Sequence, residues 1–164
     1  MKKITIITLT LNSENTILDN IKSVDNQSYT NIEHMCLDGY SNDHTIKILK
    51  ENKTSKRKII RFKKTGIYPG LNKATSIAKG EIIGVLHSDD LFFSKNVIKK
   101  ILKKFENNKV NIIYTDIVIV KKNNTKKIIR NWVSNDREIS NKIKNNDYYK
   151  PLLSNGWMPP HTGF

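Results

Sequence analysis

Short apolar runs alternate with helix-period segments along most of this chain, and no other feature limits its possible folds so strongly. Strands are expected at 3–10, 32–37, 58–62 and 82–86. Between them lie helical patterns. The first, 13–25, carries Ile17, Leu18, Ile21 and Val24 on one stripe, and a short second runs over 45–52. A "GIYPG" loop then leads into a third over 71–78, with Leu71, Ala74, Ile77 and Ala78 facing inward and Gly80 just past its end. A fourth is expected over 95–106, with Ser94 as N-cap and Val97, Ile98, Ile101, Leu102 and Phe105 as its core stripe. A fifth strand at 112–120 turns through "KKNNT" into a sixth at 126–132. Strand–helix alternation of this kind builds βαβ units, hence an α/β fold with a mainly parallel sheet and helices on both faces.

The 164 residues suit one domain with a real core, read as a single domain over 1–164. No run of about 18 apolar residues exists to span a membrane. "MKKITIITLT" has the two lysines of a signal peptide but no long apolar region or small-residue cleavage site. It reads as the first strand of a cytoplasmic protein. The single cysteine, Cys36, lies inside an apolar run and reads as a buried, inert thiol.

The net charge of +14 would suit an anionic partner. Yet only four of the 29 basic residues are Arg, whereas nucleic-acid readers favour Arg forks, and no zinc ligands or stacking aromatics accompany them. Lys, Ile and Asn make up about two fifths of the chain, so compositional drift accounts for the charge. No nucleic-acid partner is expected. A weak peripheral contact with anionic lipid head groups is compatible with it.

The chemistry gathers at strand ends. In "GEIIGVLHSDD" an apolar strand runs into Asp89 and Asp90, whose repulsion and desolvation oppose folding. The pair reads as a turn, as two hard oxygen donors for Mg²⁺ or Mn²⁺ with phosphates completing the shell, or as an acid/base pair lacking a neighbouring partner. "DGYSNDHT" places Asp38 at the end of the second strand. Ser41 and Asp43 or Thr45 can close its turn and cap the next helix, while Asp38 can also accept hydrogen bonds from a base or ribose. In a doubly wound sheet a ligand binds beyond these carboxyl ends.

The order of the pieces "ITIITLTLNSENTILDNIKSVDNQSYTNIE", "LDGYSNDHT", "GIYPGLNKATSIAKGEIIGVLHSDD" and "NIIYTDI" resembles the family 2 glycosyltransferases of bacterial surface polysaccharide assembly, over nearly the whole chain. The resemblance implies a GT-A, Rossmann-like fold. It also implies transfer of a sugar from a nucleotide-sugar donor, UDP-linked by expectation, to a glycan or lipid-linked acceptor, with inversion and the help of Mn²⁺ or Mg²⁺. Thr10 and Asn12 would meet the nucleoside, Asp38 would hold the base, and Ser41 and Asp43 would shape its pocket. Gly66 would open the next loop, and Asn72 and Lys73 would lie beneath the donor. Ser88, Asp89 and Asp90 fall on the family's metal-binding acid motif, with His87 in place of its first acid. Asp89 is then the direct metal ligand and Asp90 its support.

Two positions depart from the family pattern: Lys64 and Thr65 stand where an acid often precedes the glycine, and Pro69 replaces another. The resemblance implies a general base beyond Phe164, so no catalytic residue is assigned within the chain. Asp116 and Asp136 lack its context. "PLLSNGWMPPHTGF" reads as the middle of a domain, incomplete at its C-terminus, and poor transfer by this chain alone is expected. The alternative is a nucleotide-sugar-binding module without turnover. A receiver-type doubly wound protein is disfavoured, because Thr10-Leu11-Asn12 stands where its acid pair would follow the first strand.

Overall fold

The protein is described from a computed structural model, which covers residues 1–132 apart from 64, 65, 109 and 123. The element order is β1(Ile4–Thr10), α1(Ile17–Asp25), β2(Ile32–Asp38), α2(Thr45–Glu51), β3(Arg57–Arg61), α3(Ile67–Ile77), β4(Ile82–Val85), α4(Val97–Asn108), β5(Ile117–Lys121) and β6(Asn124–Trp132). Two units are distinguished, Met1–Ile113 and a second beginning at Tyr114. In the second, β5 and β6 form the expected antiparallel hairpin, Ile117 opposite Trp132, with β5 starting at Ile117 rather than at 112 and β6 at Asn124 rather than at 126.

In the first unit four strands form a sheet in the order β3-β2-β1-β4, every pair parallel. β1 and β2 are buried almost throughout, as strands covered on both faces must be. Alternation along the strands separates the two sides. Ile4, Ile6, Ile32 and Ile82 pack with Val24 of α1 and Ile98 and Leu102 of α4. Cys36 joins Ile17 and Ile21 of α1 and Leu49 of α2. Ile7, Met35 and Leu37 pack on Ala74 of α3, with Leu9, Leu71 and Ile77 half-buried beside them. Thus α1, α2 and α4 cover one face and α3 the other. Burial pushes the Cys36 thiol up to about 12, so it stays protonated and inert. No helix among the described residues is long and apolar enough to cross a membrane.

Three expectations around α3 and α4 change. The "GIYPG" segment is not a loop before α3 but its first turn. Gly66 takes φ 99° at the N-cap, and Pro69 is tolerated there because the first helical amides have no partner in the helix. Gly80 does not close α3 through a left-handed conformation. A Cβ there would stand 2.4 Å from the Thr5 amide nitrogen, so the glycine lets the chain entering β4 press against β1. Ser94 is not the N-cap of α4, which starts at Val97. The amide of Ile98 instead donates to Oε1 of Gln27, just past the end of α1, 3.2 Å away.

Candidate donor site

β1, β2 and β3 step outward in one direction, and β4 then pairs with β1 on the opposite side. The order reverses at β1/β4, which is where open parallel sheets leave a crevice. A cavity of about 430 Å³ lies there, within the range of small-molecule sites. Its walls are Leu9, Thr10 and Leu11 from β1, Leu37, Asp38 and Gly39 from β2, Phe62 and Lys63 beyond β3, Gly66, Ile67 and Gly70 of the α3 start, and His87, Ser88 and Asp89 beyond β4.

The loops after β1 and β2 are zipped together by side chains. The Asn12 amide donates to Ser41 Oγ (2.9 Å), and Asn42 N to Asn12 Oδ1 (3.0 Å). The Ser13 amide donates to Thr45 Oγ1 (2.7 Å), and Glu14 N to Asp43 Oδ2 (3.0 Å). This use of residues 12–14 explains why α1 begins at Ile17 rather than near Ser13. Asp43 also accepts from the Thr45 amide at the start of α2 (2.9 Å). Burial opposes its charge, but the hydrogen bonds from Thr45 and Glu14 outweigh that and hold the Asp43 carboxyl below the usual range. Asn12 and Tyr40 both take positive φ, 51° and 64°. For a bulky residue such as Tyr40 that is strained, and its ring lies exposed beneath the Arg61 guanidinium, 4.4 Å away.

Asp38 is fully buried at the cavity wall. Its Oδ1 accepts from Ser41 Oγ (2.5 Å) and Thr10 Oγ1 (3.3 Å), and its Oδ2 from the Ser41 amide (3.0 Å), with Arg61 Nε 3.5 Å from Oδ2. The turn-building role of Asp38 and Ser41 is therefore present in the geometry. A carboxylate has about four lone-pair directions, so little capacity on Asp38 remains for a further donor.

On the opposite wall, His87–Asp90 forms a turn closed by the Asp90 amide donating to the His87 carbonyl (3.0 Å). Ser13 Oγ donates to Ser88 Oγ (2.9 Å), joining this turn to the β1 loop. Asp89 is exposed at the cavity and Asp90 is half-buried behind it. Burial, and then the Asp89 carboxylate, push the Asp90 carboxyl above its usual range, while His87 pulls the other way. Among the described residues no lysine or arginine pairs with either acid, and no three His, Cys, Asp or Glu side chains converge on a metal-sized site.

Of the residues singled out in the sequence, Thr10, Asp38, Gly66, Ser88 and Asp89 meet at the cavity. Asn12, Ser41 and Asp43 build the turns around it, and Asp90 supports the acidic turn from behind. Asn72 and Lys73 are exposed on α3 and are not among the lining residues. Lys64, Thr65, Asp136 and the "PLLSNGWMPPHTGF" segment lie outside the described residues. The sequence reading missed Phe62 and Lys63, although the rule that ligands bind beyond strand carboxyl ends, applied to β3, points to both. It also missed Asn20. Buried on α1, Asn20 donates from Nδ2 to the carbonyls of His87 and Asp90, 2.8 Å each.

Comparison with known proteins agrees with this geometry. Residues 5–158 match the glycosyl transferase family 2. Over 104 residues, 62% of this chain, the sequence is 34% identical to the Escherichia coli UDP-Glc:alpha-D-GlcNAc-diphosphoundecaprenol beta-1,3-glucosyltransferase WfaP. Among solved structures, S. aureus TarS 1–349 in complex with UDP-GlcNAc superposes with a TM-score of 0.64 over 69% of this chain at 24% identity. The mannosyltransferase PcManGT from Pyrobaculum calidifontis, in complex with GDP-Man and Mn²⁺, gives 0.65 over 76% at 18% identity. The match spans 41% of the WfaP chain, 34% of that TarS chain and 37% of the PcManGT chain. The four-stranded parallel sheet with helices on both faces is the GT-A fold of these transferases, and the chain belongs to glycosyl transferase family 2.

Proposed function

We propose that this chain provides the donor site of a glycosyltransferase that takes a sugar from a nucleotide-linked donor and passes it, with inversion, to a glycan or lipid-linked acceptor. One observation carries the reading: a cavity at the β1/β4 reversal has Asp38 and its turn on one side and Asp89, backed by Asp90, on the other. A uridine donor is favoured by the relative whose name gives UDP-Glc and by the TarS complex with UDP-GlcNAc, although GDP-Man occupies the third relative. The WfaP name also specifies a diphosphoundecaprenol-linked acceptor. Such an acceptor would place the domain on the cytoplasmic side of the cell membrane, where a charge of +14 favours peripheral contact with anionic head groups.

The donor chemistry at the acidic turn suits a hard divalent cation. Asp89 stands at the cavity wall with Asp90 behind it, neither paired with a lysine or arginine among the described residues, and Mg²⁺ or Mn²⁺ commonly takes one or two carboxylates and completes its shell with phosphate and water. Asp89 would be the direct ligand, with Asp90 and Ser88 behind it. Bound there, the cation would neutralise the charge that develops on the departing nucleoside diphosphate. Asp38, Thr10 and the Asn12–Ser41 turn would hold the nucleoside. Leu9, Leu37 and Phe62 would keep that end of the cavity dry. Asp38 and Asp89 are the carboxylates among the described lining residues, and both have other duties. The base that takes the acceptor proton is therefore assigned to none of them. A binding module without turnover is the second reading, favoured by that same lack of a free carboxylate.

Titration of UDP into the chain, with MnCl₂ and with chelator, tests the site. Affinity should be higher with the metal. Asp89→Ala should remove the difference, and Asp90→Ala should reduce it less. Equal affinity in metal and chelator would remove the cation from the proposal.

A further inference from the structure

The segment between β4 and α4, residues 86–96, carries the acidic turn yet belongs to no helix or strand. Its buried backbone groups must find partners elsewhere. Many of those partners come from α1 and the residue just beyond its C-cap. Asn20 Nδ2 donates to the carbonyls of His87 and Asp90, the two ends of the turn. One helical turn on, Ser23 Oγ accepts from the Phe92 amide at 3.1 Å. Just past the end of the helix, Gln27 Nε2 donates to the Ser94 carbonyl at 2.8 Å and its Oε1 accepts from the Ile98 amide. Asn20 and Ser23 lie three apart on one face of α1 and Gln27 just past its end, so the helix and its C-terminal exit grip the acidic segment in register.

The orientation of Asn20 is itself set from across the sheet face that α1 covers, starting at β3. Arg57 can only donate, and its Nε lies 3.3 Å from Nδ1 of His34. That nitrogen must accept, so His34 carries its hydrogen on Nε2, which faces Thr8 Oγ1 at 3.1 Å. The Thr8 hydroxyl is then left to donate to Asn20 Oδ1, at 3.4 Å. With its oxygen so occupied, the Asn20 amide presents both N–H groups to the turn. Arg57 is anchored in turn by both carboxylate oxygens of Asp25, 2.7 Å each. Every polar side chain in this chain of contacts is buried except Asp25, which is half-buried. Such a network is stable only when each member is satisfied.

We propose that Asn20 is a positioning residue for the acidic turn: by tying the His87 and Asp90 carbonyls together from α1, it holds Asp89 at the cavity in the orientation that a divalent cation and a diphosphate require. This rests on the reading of Asp89 and Asp90 as cation ligands. Asn20 touches no ligand, and its effect passes entirely through the backbone of 87–90.

The test uses the whole 164-residue chain, UDP and MnCl₂, and two readouts. In Asn20→Ala, amide hydrogen exchange across 88–92 should quicken by about tenfold or more while β1 and β2 keep their protection. The gain in UDP affinity on adding Mn²⁺ should fall by about tenfold, with metal-free UDP affinity within about twofold of wild type. Should Asn20→Ala fail to fold, Asn20→Ser, which keeps a donor for one of the two carbonyls, should give smaller changes of the same kind. Unchanged exchange at 88–92 would overturn the proposal. So would an equal loss of affinity with and without metal, because that is the mark of general destabilisation. If the wild-type chain shows no metal-dependent gain, the ligand reading fails on its own, and exchange at 88–92 alone decides whether Asn20 holds the turn.

Discussion

Acidification should destabilise this fold through His34 well before the carboxylates respond. His34 lies fully buried on β2, its ring between Thr8 Oγ1 and the Arg57 guanidinium. Burial first, and then the Arg57 charge, lower its pKa from 6.5 to about 3. The unfolded chain therefore takes up the proton near pH 6.5 while the folded chain refuses it until about pH 3. With more protons on the unfolded state across that window, stability rises with pH and is lost as pH falls. The slope approaches about 1.4 kcal/mol per pH unit, so lowering the pH from 7 to 5 should remove about 2 kcal/mol. Glu33, held below its usual range by Lys58, Lys79 and Thr5 against the opposing effect of burial, adds a loss of the same sign only at lower pH. Asp90, held above its usual range, acts in the opposite direction there. The assay is urea unfolding followed by circular dichroism at pH 7, 6 and 5, for the wild-type chain and for His34→Gln. The variant is expected to be less stable throughout but nearly flat over this range. A flat wild-type profile, or an equal slope in the variant, would refute the assignment.

Two further substitutions probe the sheet and the nucleoside side. In Gly80→Ala the new methyl would meet the Thr5 amide nitrogen at 2.4 Å and the Ile82 carbonyl oxygen at 2.8 Å, both backbone. A loss of about 1–3 kcal/mol or more in urea unfolding is expected, and a change within about 0.5 kcal/mol would contradict the close approach. Asp38→Ala should lower UDP affinity in chelator about tenfold, as the loss of the one charged hydrogen bond that its remaining lone pair can accept implies. Because Asp38 also accepts from Ser41 and Thr10, the variant should melt earlier as well. Normal UDP affinity with only the earlier melting would leave Asp38 a turn residue.

The layout of strands and helices was legible because parallel strands buried on both faces must be apolar runs, and the helices between them must show a 3.6-residue stripe. The acids at the ends of β2 and β4 were legible for a related reason: an ionisable residue at the end of a buried strand is conspicuous. Asn20 was not, because a polar residue on an amphipathic helix reads as solvent-facing, and only the path of a distant loop turns that face inward. Gly80 misled for the opposite reason. A glycine just after a helix suggests a helix cap, whereas the space it leaves is claimed by Thr5, 75 positions earlier. The start of α3 was missed because Pro and Gly signal a break in most of a helix but not in its first turn.

Paramagnetic broadening reports whether a nucleotide and a cation meet at Asp89. Isotope-labelled chain would be recorded by NMR with UDP, before and after a small amount of Mn²⁺, and again with chelator. UDP-dependent broadening centred on the amides of Ser88, Asp89 and Asp90, reaching Thr10 and Leu11 across the cavity and absent in Asp89→Ala, is the expected result. Broadening centred elsewhere, or the same with and without UDP, would contradict it.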